Sequence, residues 1–405
     1  MDSNIEEFMS KADITSNIYL ASKPRYEILD GLRGVAAILV VAYHLFETYY
    51  GGSAGQPINH GYLAVDFFFV LSGFVIGYAY DDRWDKMSTW GFFKRRLIRL
   101  HPMVIFGTLF GAMLFYFGSC STFPLINETP WYMVVLVMLW CFTMIPLPSS
   151  MDIRGWAETN PLNGPAWSLQ WEYLANILYA LFFRRFSKLV LGICVVIFAV
   201  FTIILCLNID VFGFLEVRSY AAYTVVGGWS TTPDQLQIGF TRLLYPFFCG
   251  LLISRIGWLI KVRAGFWWCS LLILILFCMP WMGLGTEGTS RWTNGLYEAF
   301  CILVMFPLVV AIGAGSSVKG GKSQAINKFL GDISYPIYIT HYPLIYMQMS
   351  WAETHKDAPL GSHVLVAVGI FFLAIGLAYA ALKLYDLPVR EWLKNRLFTT
   401  SSSAK

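Results

Sequence analysis

Charge is what this sequence has least of. Only 13% of its 405 residues are charged, while 57% are hydrophobic and 17% aromatic, and the mean hydropathy is +0.58. Such a chain cannot be a water-soluble enzyme; it is a polytopic membrane protein. The first 28 residues are polar, with Glu6, Glu7 and Asp13 among them, and lack the basic start and cleavable apolar core of a signal peptide. The first span is therefore expected to stay in the mature protein. There is no CxxC and no Cys/His pair at metal-ligand spacing. The eight cysteines lie in or beside apolar runs and read as small packing residues, so neither a disulfide nor a metal is implied. No internal repeat, linker or polar stretch long enough for a soluble domain is present. A net charge of +4 is modest and suggests no nucleic-acid partner.

What the chain does have is long apolar runs. Ten are long enough to cross about 30 Å of hydrocarbon, at residues 31–49, 62–80, 102–118, 165–183, 189–207, 239–254, 265–283, 296–313, 332–350 and 362–385. An eleventh, 131–147, is shorter, ends in Pro146 and Pro148 and has no Lys or Arg at either end. The positive-inside rule decides its status. If it does not cross, 23 of the 29 basic residues fall on one side, and if it does the asymmetry disappears. The segment therefore reads as re-entrant or interfacial. The expected fold is an all-α polytopic transmembrane helix bundle with about ten spans, both termini being cytoplasmic. Residues 1–28 and 397–405 read as disordered ends, and 29–396 as a single membrane domain.

The chain is organised around Asp30 to Leu45, DGLRGVAAILVVAYHL. Arg33 and His44 are 11 residues apart, which returns a helix to within about 20° of the same face and separates them by roughly 16 Å. Arg at mid-span costs about 2.5–3.5 kcal/mol, so an Arg and a His on one stripe point to a protein interior or a wet cavity. The second span carries Asp66 near its outer end and Ser72-Gly73 near mid-depth. At the inner start of the third, Lys94, Arg95, Arg96 and Arg99 crowd together. They read either as a topology anchor or as a clamp for phosphate oxygens, which Arg forks match bidentately. Glu172, in the fourth span, reaches the depth of His44 and makes a plausible acid/base partner for it. His341 lies deep in the ninth span between Pro336 and Pro343, which would kink the helix. His60, His101, His355 and His363 sit at span ends and read as interfacial. Trp131, Trp156, Trp167 and Trp171 would suit a sugar ring, although aromatic belts line any membrane interface.

The order and spacing of LDGLRGVAAILVVAYH, DFFFVLSGFVI, FFKRRLIRLHP, PAWSLQWEYLANILY, GDISYPIYITHYPLI and YDLPVREWL resemble acyltransferase family 3 over about residues 26–395. The resemblance implies a cytoplasmic-membrane enzyme that moves an acyl group, often acetyl, from acyl-coenzyme A to a hydroxyl of a carbohydrate or glycolipid. By the family's pattern Arg33 and His44 match its essential pair, Arg95, Arg96 and Arg99 its basic cytosolic motif, and Glu172 its second-block acid. Donor phosphates are then expected on Lys94, Arg95, Arg96 and Arg99, with Asp66, Ser72, Trp167 and His341 in supporting roles. The partners expected are the bilayer and the acceptor, with a homodimer left open. The rival reading is a secondary transporter or a flippase for a sugar or lipid-linked substrate, in which the buried Arg, His and Glu form a proton relay.

Overall fold

A computed structural model describes residues 23–215, 218, 221–283, 291–318 and 320–398. Among these, the regular structure is helical. Helix α1 is Glu27–Tyr50, α2 Ala64–Tyr80 behind a 3-10 turn Gly61–Leu63, α3 Thr89–Leu114, α4 Trp131–Phe142, α5 Ala166–Leu181, α6 Lys188–Cys206 and α7 Pro233–Ile256. Then come α8 Gly265–Cys278, α9 Trp292–Phe300 and α10 Phe306–Gly315 joined by a π turn, α11 Gly321–Thr340, α12 Tyr342–Thr354, α13 Leu360–Ala381, and α14 Leu387–Leu397 after a second π turn. Of the chain ends expected to be disordered, 1–22 and 399–405 lie outside the described residues. Residues 23–28 and 397–398 are ordered here: Lys23 pairs with Asp82 at 2.7 Å, and Phe398 is buried.

Among the described residues, seven helical stretches are long and apolar enough to cross a membrane: 27–50, 61–80, 89–114, 188–206, 233–256, 292–315 and 360–397. The other three expected spans are present in shortened or broken form. Helix α5 has 16 residues and α8 has 14, and the span at 332–350 divides into α11 and α12 at His341. The division has a local cause. Pro343 has no N–H to give to the Ile339 carbonyl, and Asn163 Nδ2 donates to that oxygen instead, at 2.8 Å. The third span starts earlier than the sequence reading put it. Ser88 caps it by accepting from Gly91 N at 3.0 Å, which places Lys94 to Arg99 inside the helix.

Loops gather at the two ends of the bundle. At one end Arg255 pairs with Asp81 at 2.6 Å and bonds the Phe183 and Phe186 carbonyls. At the other, Glu353 takes the hydroxyls of Ser121 and Thr122, and Trp156 donates to the Thr122 carbonyl at 3.0 Å. The stretches before and after α4 meet at this second end, where Thr129 Oγ1 donates to the Ile153 carbonyl at 3.3 Å. Helix α4 has 12 residues, or about 18 Å of helix axis, shorter than the roughly 30 Å of a hydrocarbon core. The outermost helices carry long apolar stretches with little of them buried: 22% of the most apolar 18 residues of α6, and 17% of those of the 360–397 stretch. Inside, backbones come into contact where side chains are absent. Helices α2 and α7 cross at Gly73 and Gly250, where a Cβ on either would lie 2.0 Å from a backbone oxygen of the other helix.

Candidate active site

Helix α1 presents its two ionisable residues to different surroundings. Near its start, Arg33 Nε donates to Ser334 Oγ at 2.9 Å, and Nη2 pairs with Asp30 at 2.8 Å. Arg99 lies beside Arg33, Arg96, Arg390 and Asp30. Among the described residues it has no hydrogen-bond or ion-pair partner, although Arg390 is held by Asp386 at 2.6 Å. Arg96 is buried and pairs with Glu172 at 2.7 Å, and Ser72 donates to the same carboxylate oxygen at 3.2 Å. Its Nε has no partner. Four guanidiniums, Arg33 from α1, Arg96 and Arg99 from α3 and Arg390 from α14, thus converge, with Arg96 Nε and Arg390 Nε unpartnered. Lys94 and Arg95 face elsewhere: their cations lie over the Phe398 ring at 5.9 and 4.6 Å. The expected four-residue clamp is thereby divided, with Arg96 and Arg99 turned inward.

Near the other end of α1, His44 is in a separate group. Its Nδ1 donates to Glu47 Oε2 at 2.7 Å. Because a carboxylate only accepts, this contact holds the proton on Nδ1 and leaves the Nε2 lone pair open. Tyr43 Oη also donates to Glu47, at 3.2 Å. Behind His44, the fully buried His341 stacks at 5.6 Å and Tyr342 meets it edge-on at 4.8 Å. His341 Nδ1 donates to the Ile337 carbonyl at 2.9 Å. The carboxylate on His44 is therefore Glu47; Glu172, expected there from its depth, is held by Arg96 and Ser72. Depth along a span does not fix azimuth, and Glu172 is turned toward α2 and α3.

His44 and Glu47 line a cavity of about 1620 Å³ with Trp156, Trp167, Trp229 and Glu158. Trp131 is 71% exposed and stands apart, and Trp171 is buried, donating to the Gly228 carbonyl at 3.1 Å. Glu158 accepts from Tyr346 Oη at 2.7 Å. Burial raises its pKa to about 7, against the pull of Arg154. Asp66 is not available to a substrate. It pairs with Arg242 at 2.7 Å with both side chains inaccessible, and Arg242 also bonds the Tyr62 and Gly227 carbonyls and lies 5.3 Å from the Trp167 ring. Asp66 thus holds Arg242 against the cavity wall. His60, expected at an interface, is fully buried, bonding the Met279 carbonyl at 2.8 Å, and its pKa falls to about 4 through desolvation. No group of three His, Cys, Asp or Glu is placed to hold a metal among the described residues.

Sequence reasoning missed Glu47, Glu158, Trp229 and Arg390. Glu47 was detectable, since a residue three beyond His44 on a helix lies on its face. Arg390 likewise follows Asp386 by four. Glu158 and Trp229 lie in irregular loops, where spacing carries no information about direction.

The acyltransferase-domain family Acyl_transf_3 matches residues 26–383. Protein 2 in the picA locus of Rhizobium radiobacter is 31% identical over 163 residues, covering 38% of this chain and 81% of that protein. Acyltransferase MdmB of Streptomyces mycarofaciens is 23% identical over 384 residues, covering 89% and 91%. O-acetyltransferase OatA of Staphylococcus aureus is 41% identical over 87 residues, which is 20% of this chain and 13% of that protein. No solved structure matches. With the family spanning most of its length and its helices apolar enough to cross a bilayer several times, the chain belongs to acyltransferase family 3 and is a multi-pass membrane acyltransferase.

Proposed function

We propose that this protein transfers an acyl group, most simply acetyl, from cytosolic acyl-coenzyme A to a hydroxyl of a carbohydrate or glycolipid in the cytoplasmic membrane. The observation that carries the reading is His44, held through Nδ1 by Glu47 with Nε2 open in a tryptophan-lined cavity. The Arg33, Arg96 and Arg99 group lies toward the other end of the same helix bundle and suits the donor's phosphates, because its guanidiniums retain unused donors. Coenzyme A supplies the acyl group as a thioester. His44 Nε2 takes the proton of the acceptor hydroxyl as its oxygen bonds to the thioester carbonyl carbon. The carbon–sulfur bond breaks, and His44 returns the proton to the departing sulfur. Glu47 holds the ring in the required tautomer and stabilises its transient positive charge. Glu172 acts on Arg96, keeping that cation oriented, and has no direct part in the proton transfer. The tryptophans give a sugar's apolar face a stacking surface.

The test is coenzyme A release by the protein in membranes, normalised to protein amount. His44→Ala is expected to lower kcat by at least about 10²-fold, since general-base assistance is worth roughly 10²–10⁴-fold, while donor binding survives. A well-inserted His44→Ala protein that keeps roughly a tenth of the normal rate or more removes His44 from the mechanism, and His341 becomes the base to test.

A further inference from the structure

The cavity that holds His44 has two kinds of wall. Around the histidine and at the loop end it is polar and aromatic, with Glu47, Glu158, Trp156 and Lys356. Away from that end its lining continues along α13 from Leu360 to Phe372, about 18 Å of helix axis and more than half of a hydrocarbon core. Leu360, Val364, Val368 and Phe372 of this wall are 46–79% exposed, and Phe46 and Tyr49 of the facing α1 wall are 37% and 41% exposed. The same side chains therefore line the cavity and form the outside of the bundle. Helix α13 is also among the most apolar and least buried helices of the protein. A mouth that served only water-soluble molecules would not keep an apolar wall open to the bilayer over such a length.

From this we infer a side entrance between α1 and α13, taking an amphiphilic acceptor from the bilayer. Its hydrocarbon tail lies along Val364, Val368 and Phe372, and its polar hydroxylated head reaches past Trp156 and Trp167 to His44. The inference rests on the acyl-transfer reading above and narrows its acceptor class to lipid-anchored molecules. The chemistry of the two walls carries it: a tail excluded from water matches the outward-facing apolar strip, and a sugar-like head matches the tryptophans and carboxylates.

The probes are methyl β-glucoside and dodecyl β-glucoside, the latter also made with a diazirine at the chain end. The full-length protein is reconstituted in lipid nanodiscs. Photolabelling is expected to concentrate on α1 and α13 peptides above the level on α6, whose even more apolar surface measures non-specific partitioning. Ala367→Trp, which fills the entrance, is expected to reduce that labelling roughly tenfold, the equivalent of losing the burial of about two methylenes. Unchanged α6 labelling confirms that the variant is inserted. Val364→Trp is the second variant, its side chain already facing out of the bundle. Labelling of α13 no stronger than of α6, or unaffected by either Trp variant, overturns the side entrance whether or not the protein turns over. Coenzyme A release is read separately. Release that is no faster with the dodecyl than with the methyl acceptor overturns the lipid-anchored class while leaving acyl transfer intact. Absence of release with every acceptor, with α13 labelling as expected, counts against the acyl-transfer reading and not against the entrance.

Discussion

One helical turn beyond His44, Glu47 places its carboxylate on Nδ1 and fixes which nitrogen faces the cavity. Glu47→Gln should lower kcat by roughly tenfold or more and leave donor KM unchanged, while Glu47→Asp restores part of the rate. Steady-state kinetics with varied acyl-coenzyme A separate the two parameters, and a rise in donor KM alone would deny Glu47 its positioning role. Glu158 calls for a different measurement. Its pKa is raised by burial from the ordinary 4.5 to about 7. An acid that holds its proton more tightly when folded loses stabilisation as pH rises through that window. The thermal midpoint of the natural protein should therefore fall more between about pH 5 and about pH 7.5 than that of Glu158→Gln. Parallel melting curves over that range would remove Glu158 from the pH response. In the arginine group, Arg99→Gln should raise donor KM far more than acceptor KM, since each charge-assisted contact is worth roughly 1.5–3 kcal/mol. An unchanged donor KM returns Arg99 to a topology role.

Among the elements, α2 and α7 cross in close backbone contact. The crossing brings Asp66 to Arg242, and so sets one wall of the cavity. Gly250→Val should cost about 1–3 kcal/mol of stability through overpacking. A Cβ at Gly369, on the outer face of α13, would meet nothing within 4 Å, and Gly369→Ala should be neutral or stabilising by up to about 1 kcal/mol. A thermal-shift comparison of the two, with the natural protein as reference, decides whether the seam is under this constraint. The broken α11–α12 helix works in a similar way. Its interruption places His341 behind His44, with the freed Ile339 carbonyl taken by Asn163 from the α4–α5 loop. Helix α4 itself packs beside α3.

For the whole molecule, the charge asymmetry predicts that both ends of the chain face the cytosol. Reporter fusions after Ser121 and after Ser150, which flank α4, should report the same, outer side. Opposite sides would break the ten-span arrangement. The same arrangement puts the arginine group and the His44 cavity toward opposite ends of one bundle, consistent with the proposed transfer from a cytosolic donor.

Composition and run length determined the membrane class and the ten apolar segments, because these depend on how much apolar chain lies between polar loops; the expectation that α4 does not cross rests on the charge asymmetry and is left to the reporter fusions. The motif blocks around Arg33 and His44 carried the family resemblance, which the family match over residues 26–383 bears out. Pairings between helices were decided only by tertiary structure. Asp66 went to Arg242, Glu172 to Arg96, and His44 to Glu47 with His341 behind it. The reason is geometric: sequence gives a residue's depth along its own span, whereas its partner depends on the rotation of every helix about its axis. That rotation is set by close approaches such as Gly73 on Gly250, and by loops such as 143–165 whose direction no periodicity encodes.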